Sequence, residues 1–343
     1  MNVNETSINA TINVSKEIGL SKEIHIFLII INLLIVLFGL SGNIAVLYTS
    51  IRYKAIKIDV VSLFLLETLT LSDIVILFLY FVPMLTTLCG NKWVLGHCMC
   101  YITALFGEVP FYFQVMVKTA ISCYRAWVCS KTTLFHPDKK LVNKFKVLTI
   151  MFAIVSLGQP ACFLITNSIA IFAPQILRCV SSQYSRIYGT PAALKASTLL
   201  TVAFIAIPTF MIITTNLWTW YRVQKSHNKA HPKNTNKMIL IKKDSEPKPT
   251  VTHFNKVTLM LTLVCCTFVL CYIPTVVKFV ISMMGKNCSQ FLYLFHNYLL
   301  SLNSIVNPFI YFSTNKTFRS FIQTSFKKNS LRIAFRKTKL SNI

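Results

Sequence analysis

The chain has 343 residues, 54% of them hydrophobic and 13% charged, with a mean hydropathy of +0.58. Those proportions exclude an ordinary soluble domain and point to a polytopic helical membrane protein. The formal net charge of +25 raises nucleic acid as a partner, but the charge is segregated into alternate loops, which argues against it.

Seven apolar stretches are long enough to cross a bilayer, at about 24–50, 59–88, 98–128, 145–171, 196–221, 256–284 and 290–312. The expected fold is all-α, a seven-transmembrane helix bundle. This assignment rests on length and scarcity of charge, because helical periodicity blurs when lipid and core faces are both apolar. No stretch has the short alternation of a membrane barrel. The segments after the first, third, fifth and seventh spans hold 3, 6, 9 and 8 Lys plus Arg, with Arg125, Lys146 and Lys256 counted in, or 26 of 35. Basic loops stay in the cytosol, so the expected protein is multi-pass in the plasma membrane, with its amino terminus extracellular. Attraction to anionic membrane lipid is a second consequence of the same charge. The expected divisions are a tail over 1–23, a seven-span bundle over 24–312 and a cytoplasmic segment over 313–343.

The tail carries three glycosylation acceptors, at Asn4, Asn9 and Asn13, usable only on the lumenal side. No cleavable signal precedes them, and the first span is expected to act as its own insertion signal. Within that span, Gly39-Leu40-Ser41-Gly42-Asn43 offers a close-packing face and an amide that needs a partner across the bundle. The second span puts Asp73 near the bilayer centre, Glu67 closer to the cytosol and Pro83 where it should kink the outer end. Acids at that depth are functional candidates. Trp93-Val94-Leu95-Gly96-His97-Cys98-Met99-Cys100 follows, and the third span brings Gln114, Lys118 and Arg125. The fourth span has little besides Pro160, and the fifth has Pro208 and Asn216. A basic loop between Tyr221 and His253 is expected to be flexible. The sixth span reads Phe268-Val269-Leu270-Cys271-Tyr272-Ile273-Pro274, and the seventh ends in Ser301-Leu302-Asn303-Ser304-Ile305-Val306-Asn307-Pro308-Phe309-Ile310-Tyr311. Pro308 bends its helix and frees a carbonyl that needs a partner, and a polar cluster in hydrocarbon is costly unless neighbouring helices satisfy it. Cysteines within the spans (Cys162, Cys265, Cys266, Cys271) read as small apolar residues rather than metal ligands. Over Asn315–Lys328, Phe318, Phe321, Ile322 and Phe326 recur among Lys and Arg as in an amphipathic interfacial helix.

Asn-Ser-x-x-Asn-Pro-x-x-Tyr in the last span resembles the seventh-helix signature of rhodopsin-like G-protein-coupled receptors. Gly42-Asn43, Asp73, Trp-x-x-Gly-x-x-x-Cys, Arg125 at 25 residues after Cys100, and Phe-x-x-Cys-Tyr-x-Pro are similar to that family's other signatures. The resemblance covers roughly 24–328. It implies a disulfide from Cys100 to Cys179; Cys98 is a rival partner, and Cys89 with Cys288 could form a second bridge. A buried polar core of Asn43, Asp73, Gln114, Lys118, Asn303 and Ser304 is expected, in which Asp73 matches the family's sodium-coordinating aspartate. The resemblance implies coupling of Arg125 and Tyr311 to a heterotrimeric G protein, and an activation switch made of Phe268, Tyr272, Pro274, Asn307 and Pro308. An amphipathic eighth helix would follow Tyr311, without a cysteine for palmitoylation.

The chain departs from the family at several points. Tyr124 and Ala126 flank Arg125 where the family has an acid and a tyrosine, and Tyr272 replaces a tryptophan. With no carboxylate beside Arg125, and only Phe254 near the inner end of the sixth helix, one restraint on the closed state is expected to be missing and basal activity raised. Lys118, two turns deeper than Arg125, stands where the family has an aliphatic residue. A buried ammonium must find a carboxylate, so Lys118 is expected to pair with Asp73, with Glu67 the alternative, in the role the family gives to sodium. The amine receptors' aspartate position is Gly107 and the opsins' lysine position is Ser301, which argues against both subclasses. Gly107, Glu108, Lys195, Lys278 and His296 are the candidates for the ligand cavity, with a peptide as the favoured extracellular ligand. A ligandless receptor-like scaffold is the alternative; a seven-span transporter or channel would call for an inverted repeat that is not seen. No nucleophile–base pair or metal-ligand spacing suggests an enzyme, and no cofactor is expected.

Overall fold

Long apolar runs leave the backbone only itself to hydrogen-bond with inside a bilayer, and here they fold as helices. The computed structural model describes residues 21–52, 59–131, 139–158, 170–173, 177–181, 202–230, 249–284, 290–315 and a few single positions. Seven helices follow one another among them. They are α1 (Lys22–Arg52), α2 (Val60–Gly90), α3 (Gly96–Ser130), α4 (Lys139–Ser156), α5 (Ile207–Ala230), α6 (Pro249–Met283) and α7 (Gln290–Thr314). Helices α1, α2 and α3 and the stretch Thr258–Val277 of α6 are long and apolar enough to cross a membrane by length and composition alone.

Two of these helices are interrupted in ways that aim their ends. In α2 a π-turn occupies Leu77–Phe81, closed by the Val82 N–H on the Leu77 carbonyl, and Pro83 follows at once. The Asn32 amide of α1 crosses to the Phe81 carbonyl at 3.1 Å, pinning the irregular turn. In α3 the helix breaks at Gly107–Glu108, just ahead of Pro110, which has no N–H to give. A Cβ on Gly107 would run into the Thr103 carbonyl oxygen, so the break demands glycine. A further π-turn, Val202–Ala206, leads into α5.

Helix α3 lies at the middle of the bundle, against α2, α5 and α6, while α1 packs on α2 and α7, and α6 on α7. A Cβ on Gly39 would come within 2.8 Å of Leu77, and one on Gly42 within 3.0 Å of Pro308, so these two glycines set how closely α1 approaches its neighbours. Helix α4 is peripheral. Its Val147, Ile150, Met151 and Ile154 are exposed at helical spacing, as a lipid-facing stripe would be.

An antiparallel hairpin, β1 (Ala170–Ala173) and β2 (Arg178–Ser181), pairs Phe172 with Cys179. Cys179 is disulfide-bonded to Cys100 at the start of α3, with Cα atoms 5.2 Å apart. Trp93 packs on Phe172 at 6.1 Å and donates its indole N–H to the Gly96 carbonyl at 2.8 Å. Trp93, Cys100, Ala104, Phe172 and Cys179 thus form a small second core under the hairpin.

Two expected boundaries are corrected. The fourth apolar stretch does not run helical over 145–171: α4 begins at Lys139, and by Ala170 the chain is in β1. The loop between Tyr221 and His253 is shorter than expected, because α5 continues to Ala230 and α6 starts at Pro249. Residues 231–248, most of the expected eighth helix, and Asn4, Asn9 and Asn13 lie outside the described residues.

Candidate functional site

A helix containing proline has one carbonyl, four residues back, with no N–H to bond. For Pro308 that carbonyl belongs to Ser304, and the Asn43 amide of α1 donates to it at 2.9 Å. The same amide nitrogen is 2.9 Å from the Gly39 carbonyl of its own helix. The buried Asn43 therefore satisfies a gap that Pro308 opens in α7.

Toward the bundle axis, Asp73, Gln114, Lys118, Asn303 and Asn307 are all buried. Asp73 accepts from Gln114 Nε2 on one oxygen and from Asn307 Nδ2, at 2.9 Å, on the other. Gln114 Oε1 accepts from Asn303 Nδ2 at 3.0 Å and from Lys118 Nζ at 3.3 Å, and Asn303 Oδ1 accepts from Lys118 Nζ at 2.8 Å. The ammonium also lies 4.7 Å from the centre of the Phe268 ring, within cation–π range. The expected direct Lys118–Asp73 pair is corrected. The two charges communicate through the Gln114 amide, because a glutamine side chain is long enough to stand between them. Glu67, the alternative partner, is only half-buried and forms no ion pair with Lys118 among the described residues.

These residues do not fit a sodium ion. Both carboxylate oxygens of Asp73 already accept N–H donors, and the neighbouring amide oxygens of Gln114 and Asn303 face the ammonium. A second positive charge in the same buried core would also repel the ammonium, by roughly a few kcal/mol at an effective dielectric of about 20.

At the far end of α3, Arg125 is buried and donates from Nη2 to Asp59 Oδ2 at 3.2 Å and to Ser62 Oγ at 2.6 Å. Asp59 is the N-cap of α2: its Oδ1 accepts the Ser62 backbone N–H at 2.9 Å and the Tyr124 hydroxyl at 2.8 Å. The expectation that Arg125 lacks a carboxylate is therefore corrected. The acid comes from another helix, and Tyr124, in the place of the expected acid, helps to hold it. The argument for raised basal activity loses its premise. Asp59 directly before the apolar run Val60-Val61 was readable as a helix cap, but its reach to α3 was not.

One turn deeper, Asn216 Nδ2 donates to Ser122 Oγ at 2.9 Å, and Ser122 Oγ lies 3.1 Å from Cys265 Sγ, joining α5, α3 and α6. Phe268 and Tyr272, one turn apart in α6 and both buried, lie against each other with ring centroids 4.2 Å apart and planes tilted by 40°. Among the described residues nothing partners the Tyr272 hydroxyl. Pro274 lies within α6, and Tyr311 is fully buried in the core.

At the disulfide end, Glu108 forms an ion pair with Arg178 of β2, whose guanidinium lies 4.8 Å from the centre of the Tyr80 ring. Gly107 is beside it: a Cβ there would lie 3.8 Å from Arg178. Arg178 was not among the expected site residues. His296 is buried in α7 with Nδ1 3.0 Å from Thr275 Oγ1 of α6. Lys195 and the side chain of Lys278 lie outside the described residues. Cys98 is an exposed free thiol and not the bridge partner of Cys100. Cys89 is likewise free, and Cys288 lies outside the described residues.

The sequence model of the family described as 7 transmembrane receptor (rhodopsin family) matches residues 42–311. The chain is similar to the neuropeptide Y receptor type 2 of Bos taurus, 22% identical over 222 residues that cover 61% of this chain and 54% of that receptor. It is also similar to the C-X-C chemokine receptor type 2 of Gorilla gorilla gorilla, 31% identical over 124 residues, or 36% of this chain and 34% of the other. The chain spans about half the length of the curated relatives it matches. Its fold is similar to the crystal structure of squid rhodopsin, with a TM-score of 0.73 at 16% identity, covering 90% of this chain and 87% of that one.

Proposed function

The chain belongs to the rhodopsin family of seven-transmembrane receptors, and from that premise we propose that it passes an extracellular signal to a heterotrimeric G protein across the plasma membrane. The family is one of receptors, not enzymes. In this reading the disulfide and hairpin end is extracellular, and the end bearing Arg125 faces the cytosol, as the distribution of Lys and Arg favours. The observation that carries it is Arg125: a guanidinium buried at the end of the central helix and held by Asp59 and Ser62. A charge held by two acceptors from one neighbouring helix can be released by a shift of that pair of helices.

Activation then swings α6 outward about Pro274, repacks Phe268 and Tyr272, and lets Arg125 exchange Asp59 for the G protein. Asn307 and Pro308 let α7 adjust, and Tyr311 leaves the core to face the coupling cavity. An agonist drives this only by binding the open bundle better than the closed one. A peptide is the ligand class we favour. The hairpin β1–β2 over the bundle mouth has backbone hydrogen-bonding groups for an extended chain, and the relatives include a neuropeptide receptor and a chemokine receptor.

The test is nucleotide exchange on a panel of purified G-protein heterotrimers by the full chain in nanodiscs, with no ligand added. The Asp59→Asn form should stimulate exchange on at least one heterotrimer, and adding Arg125→Ala should abolish it. If Asp59→Asn is as silent as Arg125→Ala across the panel, or if exchange ignores the loss of Arg125, the proposal fails.

A further inference from the structure

We infer that Lys118 is the resident cation of the buried core and that, through Gln114, it closes the core around Asp73 to sodium. This goes beyond the coupling proposed above and does not depend on it.

The argument starts from what an ammonium can do. It has three donors and no acceptor, so any amide that touches it must present oxygen. Gln114 and Asn303 both do, through Oε1 and Oδ1. An amide that turns its oxygen one way turns its NH2 the other. The Gln114 NH2 accordingly faces Asp73, and the Asn303 NH2 turns to Gln114 Oε1. The charge at position 118 thus fixes the direction of every amide between itself and the carboxylate. The second oxygen of Asp73 takes the Asn307 NH2 at 2.9 Å.

A sodium ion beside Asp73 needs oxygens, not N–H groups, around it. Turning Gln114 Oε1 toward such an ion would turn its NH2 onto the Lys118 ammonium, donor against donor, and leave Asn303 Nδ2 without its acceptor. The obstacle is therefore the orientation of Gln114, enforced by Lys118, as well as charge repulsion. The tethered ammonium also bridges three helices, from α3 to Asn303 on α7 and to the Phe268 ring on α6, so the counter-charge of Asp73 cannot leave by exchange with the solvent.

The purified full chain should therefore melt at the same temperature in sodium chloride and in choline chloride at equal ionic strength. Lys118→Met removes the constraint on Gln114 and should create a saturable rise of melting temperature with sodium, which adding Asp73→Asn should abolish. A saturable sodium-dependent rise in the unsubstituted protein, lost in Asp73→Asn, would overturn the inference. So would a folded Lys118→Met protein that stays indifferent to sodium. If Lys118→Met does not fold, the unsubstituted protein decides alone: broadening of the sodium NMR line that disappears in Asp73→Asn refutes the inference, and its absence supports it. None of these readouts involves a G protein, so failure here leaves the coupling proposal standing.

Discussion

Asp59 serves two structures with one carboxylate. Oδ1 caps α2 and takes the Tyr124 hydroxyl, and Oδ2 takes the Arg125 guanidinium. Asparagine caps a helix as well as aspartate does, so Asp59→Asn separates the two roles. The cap should survive while the charge-assisted bond to Arg125 weakens by about 1–2 kcal/mol. That moves the closed-to-open ratio by about tenfold, and basal nucleotide exchange should rise by a comparable factor with only a small fall in melting temperature. Asp59→Leu loses both roles and should lower the melting temperature as well. Asn43 is a second residue whose worth to the bundle lies in its bond across to α7. Asn43→Ala leaves the Ser304 carbonyl, already deprived of a partner by Pro308, unsatisfied in the core. The expected loss is roughly 1–3 kcal/mol of stability, and a melting temperature equal to that of the parent would remove Asn43 from this role.

The interrupted helices make predictions at the scale of whole elements. The break in α3 places Glu108 next to β2, and it depends on a position with no side chain. Gly107→Ala should force the α3 break away from the Thr103 carbonyl, shifting Glu108 and its ion pair to the hairpin, at a cost of about 1–3 kcal/mol. Its signature is faster proteolysis at the hairpin together with a lower melting temperature, and a neutral substitution would show that the break tolerates a side chain. The location of these interruptions was partly legible: Pro83 announces the irregular backbone of α2 from sequence alone, as Pro308 does the freed carbonyl of α7, whereas Pro110 was not singled out. What fills each gap was not, since it depends on which face of a distant helix comes near. The carbonyl freed by Pro308 follows from a local rule, but its partner Asn43 lies 261 residues away. Likewise Arg125 was readable from its spacing to Cys100, whereas its acid sits on α2, 66 residues back. Arg178 went unnoticed although it adjoins Cys179, because nothing in the sequence pairs it with Glu108, 70 residues back.

The bundle as a whole was the most legible level, because it rests on sums over many residues: long apolar stretches and basic residues crowded into alternate loops. The orientation inferred from that charge asymmetry predicts that an epitope tag on the carboxyl terminus is reached by antibody only after cells are permeabilised. Glycosidase treatment should in turn increase the mobility of the intact chain through Asn4, Asn9 and Asn13. A tag stained on intact cells would invert the topology. Finally, the single π-turn of α2 adds one residue to the helix between Asp73 and Pro83. Against any relative whose second helix runs unbroken, a position-by-position comparison made outward from Asp73 slips by one residue beyond Phe81. That slip turns each side chain by about 100° around the axis. Substitutions transplanted there by simple counting would land toward lipid when meant for the interior, and Met84, buried in the core, would be taken for its neighbour.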